Sequence, residues 1–301
     1  MRALLISTLA SFVLASPCGF AAERATELLI RTDDVGMSHA TNTALRKFMH
    51  TGLRFSASVM VPCPWFQDAA EALRGHPNVS VGIHLTLNSE WSHYRWGPVL
   101  GASAVPSLVD ENGYFFPTGA QLRDNGMKLG EVEAELRAQI EQALRAGLDV
   151  EYLDYHMLTA VSTPGLRSVV ESLAQEYDLA LSRYFGEPSR SLWDVEPDRK
   201  LPTLLEMMNE LHAGKTNLLV LHLGLETGEM KALIDANNPD DPYRVAQHRN
   251  AELEAATSQA FLDAVRAQGL QVVTYGDLAR RGDPMSAPEE FGYSMEEQDN
   301  E

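Results

Sequence analysis

The chain has 301 residues, 45% of them hydrophobic, and a formal net charge of −18. That length holds one large α/β domain or two small ones with a substantial core. So large an acidic excess excludes a surface built for nucleic acid or anionic membranes.

Met1-Arg2 is followed by the apolar run LLISTLASFVLA and the small-residue stretch SPCGFAA. A short basic start, an apolar centre and a small-residue cut site read as a signal peptide over residues 1–21. The run is too short to span a membrane, so export to the periplasm or the medium is expected, without stable membrane insertion. Once the signal is cut, Cys63 is the single cysteine left and has no internal disulfide partner. It follows an apolar run and reads as a packed small residue, not a nucleophile.

Strand-like and helix-like segments alternate from there. ELLIRT (27–32) is a short apolar run stopping at Asp33-Asp34, and Ser38 caps a helix through His50. SASVMV (56–61) reads as a strand, 65–76 as its helix, and VSVGIHL (79–85) as the third strand. Residues 86–128, rich in Pro, Gly and Trp, have no clean period and read as a long insertion over one face. Val132, Leu136, Ile140 and Leu144 lie four apart in a helix over 129–146. A strand at 150–156, a helix at 163–177 and a short strand at 179–184 follow. Residues 200–213 read as helix, NLLVLHLG (217–224) as the clearest strand, 224–243 as loop and 247–267 as one helix. A strand at 270–275 and a short helix at 276–281 end the body, and residues 282–301 form an acidic tail. Strands separated by helices imply a parallel sheet covered on both faces, either a barrel or a doubly wound sheet. No repeat or hinge divides residues 22–281, so they are expected to form one domain. The nucleotide-binding glycine motifs are absent.

Unusual polar residues stand where strands end: Asp33-Asp34, His84, Asp154-Tyr155-His156 and His222. The C-terminal ends of parallel strands converge on one face, where active sites form. Two imidazoles and a carboxylate, with a position left for water, make a catalytic site for Zn²⁺ or another divalent ion such as Mg²⁺. Asp34, His84 and His156 supply such a set. Adjacent aspartates on regular strand point oppositely, which suggests that one binds the ion and the other takes a proton from water. His222 is the candidate to stabilise an oxyanion or protonate a leaving group. No GxSxG elbow supports Ser-His-Asp chemistry. Adjacent aspartates also lack the separation that a glycosidase acid/base pair needs.

TDDVGMSHATNTAL resembles the opening motif of the YdjC-like (ChbG/HpnK) carbohydrate deacetylases. VGIHLTLN, PSLVDENGYF, EVEAELRAQIEQALRAGLDVEYLDYH, LHLG and HRNAELEAA resemble their later segments in order, across nearly all of 27–280. The resemblance implies a distorted (β/α) TIM-like barrel, with the insertion on the active-site face. It implies removal of acetyl groups from N-acetylated or O-acetylated sugars by metal-activated water, with a carbohydrate as partner. Asp34, His84 and His156 then match the metal ligands, Asp33 the general base, His222 the late histidine and Arg183 a substrate-contacting arginine. Asp154 is placed on the substrate side. Trp91 and Trp96 in the insertion are candidate sugar platforms. Two departures stand out: Leu158 replaces the last histidine of an Asp-x-His-x-His pattern, and His222-Leu223-Gly224 replaces His-Pro-Gly. A glycosidic-bond or non-sugar hydrolase, or a non-catalytic glycan binder, are the alternatives.

Overall fold

The computed structural model describes residues 25–288. The expected signal segment and the acidic tail from residue 289 onward lie outside them. Eight strands, all paired in parallel, make one sheet: β1 (Glu27–Val35), β2 (Phe55–Val59), β3 (Val79–Leu85), β4 (Val150–Tyr155), β5 (Ala180–Leu181), β6 (Ser189–Ser191), β7 (Thr216–Leu221) and β8 (Gln271–Val273). The order is β5-β4-β3-β2-β1-β7-β6, and β8 lies against the first three residues of β1. The two ends of this path, β5 and β6, are separated in sequence only by residues 182–188. The sheet is therefore curled into an incompletely closed barrel, a distorted TIM-like fold, and the doubly wound alternative is set aside.

Side chains alternate along each strand, and the two faces of the sheet have different neighbours. Leu28 and Ile30 join the main core under the helices, whereas Leu29 packs inside the curl with Tyr152, Leu218, Val220, Val273 and Tyr275. The inward lane of β1 therefore runs Leu29, Arg31, Asp33, and that of β4 runs Tyr152, Asp154, His156. On β3 the lane passes Gly82 to reach His84. A Cβ at Gly82 would sit 2.3 Å from the Tyr152 ring, which lies over β3 so that its hydroxyl meets Ser58 of β2 at 2.9 Å. The strands hold apolar side chains at the bottom of the curl and chemically active ones at the top.

Several expected boundaries shift for local reasons. β1 continues through Asp33 and Asp34 to Val35. The helix expected over 247–267 is two, Val245–Thr257 and Gln259–Ala267, because Ser258 is extended and its hydroxyl caps Phe261 N–H. The loop 224–243 contains a one-turn helix, Gly228–Lys231, capped by Thr227. β6 has too little apolar content to be seen in the sequence. The insertion is mostly irregular, with one 3₁₀ turn at Pro106–Leu108 and a short helix Gly119–Asp124. No helix among the described residues is long and apolar enough to cross a membrane.

Gly82→Ala should cost about 1–3 kcal/mol through the forced shift of the Tyr152 ring. Urea denaturation followed by circular dichroism would measure it, and an unchanged midpoint would mean that the barrel bottom is not packed as described.

Candidate metal centre

The top of the barrel holds an unusually dense set of ionisable side chains. β1 reaches it by a distortion: the pairing with β2 runs Thr32↔Ala57 and then Val35↔Val59, so three residue steps on β1 face two on β2. Such a bulge bends a strand and re-aims a side chain. The extra residue is accommodated at Asp34, whose φ of 58° is left-handed, a conformation that Asp tolerates better than most residues. Two adjacent carboxylates thus turn toward the same basin instead of opposite faces of the sheet.

Asp34 Oδ1 lies 3.3 Å from His84 Nε2 and 3.2 Å from His156 Nδ1. The oxygen is buried and has no hydrogen-bond partner apart from these two ring nitrogens, which donate to it only when protonated. Both imidazoles are fixed from behind: His84 Nδ1 is 2.8 Å from Asp154 Oδ2, and His156 Nε2 is 2.9 Å from Glu90 Oε2. A carboxylate on the far nitrogen is the usual way to orient a metal-binding histidine. One orphaned oxygen and two oriented ring nitrogens within 4.8 Å of one another form a ligand set for a divalent ion. These residues fit such an ion.

The charges agree with this fit. Asp34 donates nothing and accepts from Arg249 through its other oxygen. Burial alone would raise its pKa, but Arg249 and the two imidazoles hold it well below the usual carboxylate range. Burial would likewise lower both histidines. Asp154 and Asp33 outweigh it at His84, raising it to about 9, and Glu90 and Asp34 raise His156 to about 10. Four carboxylates (Asp33, Asp34, Asp154, Glu90) are bonded into the cluster against two guanidinium groups, Arg31 and Arg249. Two protonated imidazoles balance this excess when no ion is bound, and one divalent ion balances it when both are neutral.

Asp33 has both oxygens engaged by Arg31, at 2.6 Å each. His222 Nε2 is 4.0 Å from Asp33 Oδ2, the His222 side chain is 21% exposed, and its Nδ1 is buried without a partner. Trp193 stands 5.3 Å from the His222 ring and packs against Arg249 and Arg244 on its other contacts. The backbone N–H of His222 donates to Glu252 Oε2 at 2.6 Å, and Glu252 Oε1 accepts from the fully buried Lys200 at 2.9 Å. Gly224 lets Arg249 through: a Cβ there would lie 2.9 Å from the Arg249 Cβ. The HRNAEL segment thus supplies Arg249 to the metal ligand and Glu252 to the histidine.

Other expected residues sit differently. Asp154, placed on the substrate side from the sequence, is 1% exposed and spends its oxygens on His84 and Arg31. Trp91 and Trp96 are each 3% exposed, so neither offers an open face to a sugar. Trp91 Nε1 donates toward Met37 sulfur, tying the insertion to the barrel, and Trp96 Nε1 donates to the Asn88 carbonyl oxygen within the insertion. Trp96 does reach the basin's wall, 6.1 Å from the His156 ring. Arg183, half-buried with φ 67°, lies in the segment joining β5 to β6, where Glu187 accepts its backbone N–H. Cys63 is buried, as expected of a packed residue. Past His156 the chain turns through two left-handed residues, Met157 and Leu158; Leu158 holds the position of the missing histidine, and its neighbour Met157 is 44% exposed. Glu90, Arg249, Glu252 and Trp193 were missed as site residues. Glu90 lies in an aperiodic insertion, and the others lie far along the chain from the ligands they support.

At neutral pH, uptake of one divalent ion should expel about two protons, because both ligand histidines titrate above 7 in the free protein. Their raised values stabilise the metal-free fold in full below the ordinary value of 6.5, and this contribution is lost as pH rises through 9–10. The Tm gap between loaded and chelator-stripped protein should therefore widen from pH 6.5 to 10, with calorimetry in buffers of different ionisation heat counting the protons. A gap independent of pH would refute this coupling. His84→Ala should lose the bound ion in elemental analysis.

Comparisons with known proteins show what the chain is similar to. A carbohydrate deacetylase of Geobacillus stearothermophilus is 29% identical over 258 residues, spanning 83% of this chain and 97% of that one. One of Enterococcus faecalis (strain ATCC 700802 / V583) is 26% identical over 265 residues, spanning 84% and 98%. The fold matches a solved structure from Enterococcus faecalis V583, provisionally assigned to cellobiose-phosphate cleavage, with a TM-score of 0.69 and 24% identity over 84% of this chain and 99% of that one. It also matches the Xyl-CE4 domain of a multidomain xylanase from the hindgut metagenome of Trinervitermes trinervoides, with a TM-score of 0.51 and 10% identity. The family model described as YdjC-like protein covers residues 27–267, and the chain belongs to that family.

Proposed function

We propose that this protein is a metal-dependent carbohydrate deacetylase that hydrolyses the acetyl group of N-acetylated, or O-acetylated, sugars. The observation that carries the reading is the buried Asp34 Oδ1 that faces only two carboxylate-oriented imidazoles. Family membership and two full-length relatives described as carbohydrate deacetylases support the substrate class. We take the ion to be Zn²⁺, on the strength of two nitrogens and one oxygen as donors; Mg²⁺ or another divalent ion is the alternative. When bound, it would polarise the acyl carbonyl and lower the pKa of a water.

The chain's own residues divide the remaining work. Asp33, held by Arg31 in one orientation, takes a proton from the attacking water. His222, partly open to solvent and 4.0 Å from Asp33, gives a proton to the departing sugar nitrogen or oxygen. The water oxygen joins the acyl carbon, the C–N or C–O bond breaks, and acetate and a free sugar amine or hydroxyl leave. Trp193 walls the side of His222, and Trp96 the side of His156, so they exclude water from two flanks of the reacting carbon. Arg183 is proposed to contact the sugar from the segment between β5 and β6. The basic start and apolar run of residues 1–21 support action outside the cytoplasm, on an exported or extracellular glycan.

Asp33→Asn should keep the metal but lower acetate release by about 10²–10⁴-fold. The test is acetate detection over a panel of acetylated glycans, alongside metal analysis of the same sample. A panel in which no glycan releases acetate with any divalent ion would end the deacetylase reading.

A further inference from the structure

The basin contains a second set of ligand-type atoms. Asp33, His84 and Asp154 each present one within 4.8 Å of the others, as Asp34, His84 and His156 do. His84 belongs to both sets, with Nε2 toward Asp34 and Nδ1 toward Asp154. Two triads sharing an imidazole form a layout in which two cations can sit side by side, with His84 giving up both ring protons to bridge them as an imidazolate.

They differ in one respect. In the first, Asp34 Oδ1 faces only the two ring nitrogens, which lose their protons when an ion binds. In the second, every carboxylate oxygen is engaged. Arg31 Nε and Nη2 each lie 2.6 Å from an Asp33 oxygen, Arg31 Nη1 lies 2.8 Å from Asp154 Oδ1, and His84 Nδ1 lies 2.8 Å from Asp154 Oδ2. Arg31 Nη1 is also 2.6 Å from Ser182 Oγ, which fixes the guanidinium from the far side of the curl. The whole group is buried, with Arg31 4% and Asp154 1% exposed.

We propose that Arg31 is the resident cation of this second triad and restricts the protein to a single divalent ion. The inference rests on the metal reading above. A guanidinium keeps its charge at every pH the protein meets, and its planar fork spans two carboxylates where an ammonium is a point charge. The formal balance leads to the same result. Four carboxylates are neutralised by Arg31, Arg249 and one divalent ion, whereas a second ion beside Arg31 would leave a buried excess of positive charge. Arg31 therefore has a positioning role with two effects: it fixes Asp33, and through Asp154 it steadies the ring of His84.

The test is metal counting on the full chain. Wild-type protein dialysed against excess Mn²⁺, and separately Zn²⁺, should hold one equivalent, with an electron paramagnetic resonance spectrum of isolated Mn²⁺. Arg31→Met removes the charge and every guanidinium N–H donor while keeping an extended side chain, and should take up a second equivalent and give a spin-coupled Mn²⁺ spectrum. Arg31→Lys should remain at one equivalent, or admit the second at least tenfold more weakly than Arg31→Met. Two equivalents with a coupled spectrum in the wild type would overturn the proposal, as would a folded Arg31→Met that stops at one. If Arg31→Met does not fold, Arg31→Gln replaces it: a second equivalent supports the proposal and a single one overturns it, and the wild-type count stands by itself. A wild type that binds no ion would instead withdraw the metal reading, which separates the two failures.

Discussion

Burying four carboxylates in one small space is the constraint on which the rest of this barrel depends. Ionised groups removed from water require partners at close range, and the fold supplies them from distant parts of the chain. Arg31 comes from the first strand and Arg249 from a helix more than two hundred residues later; His84 and His156 come from the ends of β3 and β4. Apart from the pair of Arg31 with Asp33, two residues away, these contacts join segments far apart in the sequence. The parallel sheet brings them together, and the electrostatic demand then fixes which rotamers survive. The histidines carry protons or face a metal, but in both states they answer the same surplus of negative charge.

How much of this could be read from the sequence follows from what each feature depends on. The strands β3, β4 and β7 carry apolar runs ending in histidine, and strand periodicity plus the rule about C-terminal ends was enough to set Asp34, His84, His156 and His222 in one basin. The helix cap at Ser38 and the long amphipathic helix at 129–145 are likewise local signals. The adjacency of Asp33 and Asp34 was legible only as a puzzle. Its solution is a bulge whose register depends on the partner strand, and no pattern within β1 encodes it.

What escaped the sequence had no local period to betray it. Glu90 reaches His156 from an aperiodic insertion, and Arg249 stands in the family-like HRNAELEAA segment with nothing in its helical spacing to show that it reaches Asp34. Trp91 and Trp96 looked available because aromatic side chains in a loop suit sugar rings. Packing decided otherwise, since a long segment without regular structure needs buried aromatics to hold it to the barrel. Asp154 stands next to the ligands in sequence, yet its place behind His84 follows from strand alternation: residues 154 and 156 share a face, one layer apart in depth.

The incomplete closure of the sheet also bears on how the molecule behaves in a crowd. An open parallel sheet has two terminal strands with unpaired backbone groups, the usual template for unwanted edge-to-edge association. Here those strands, β5 and β6, are two and three residues long, and the branch strand β8, paired only with β1, has three; the segment joining β5 and β6 contains Pro188, which has no N–H to offer. Leaving the ring open therefore adds little aggregation hazard, and the barrel dispenses with full closure without exposing a sticky margin to its neighbours.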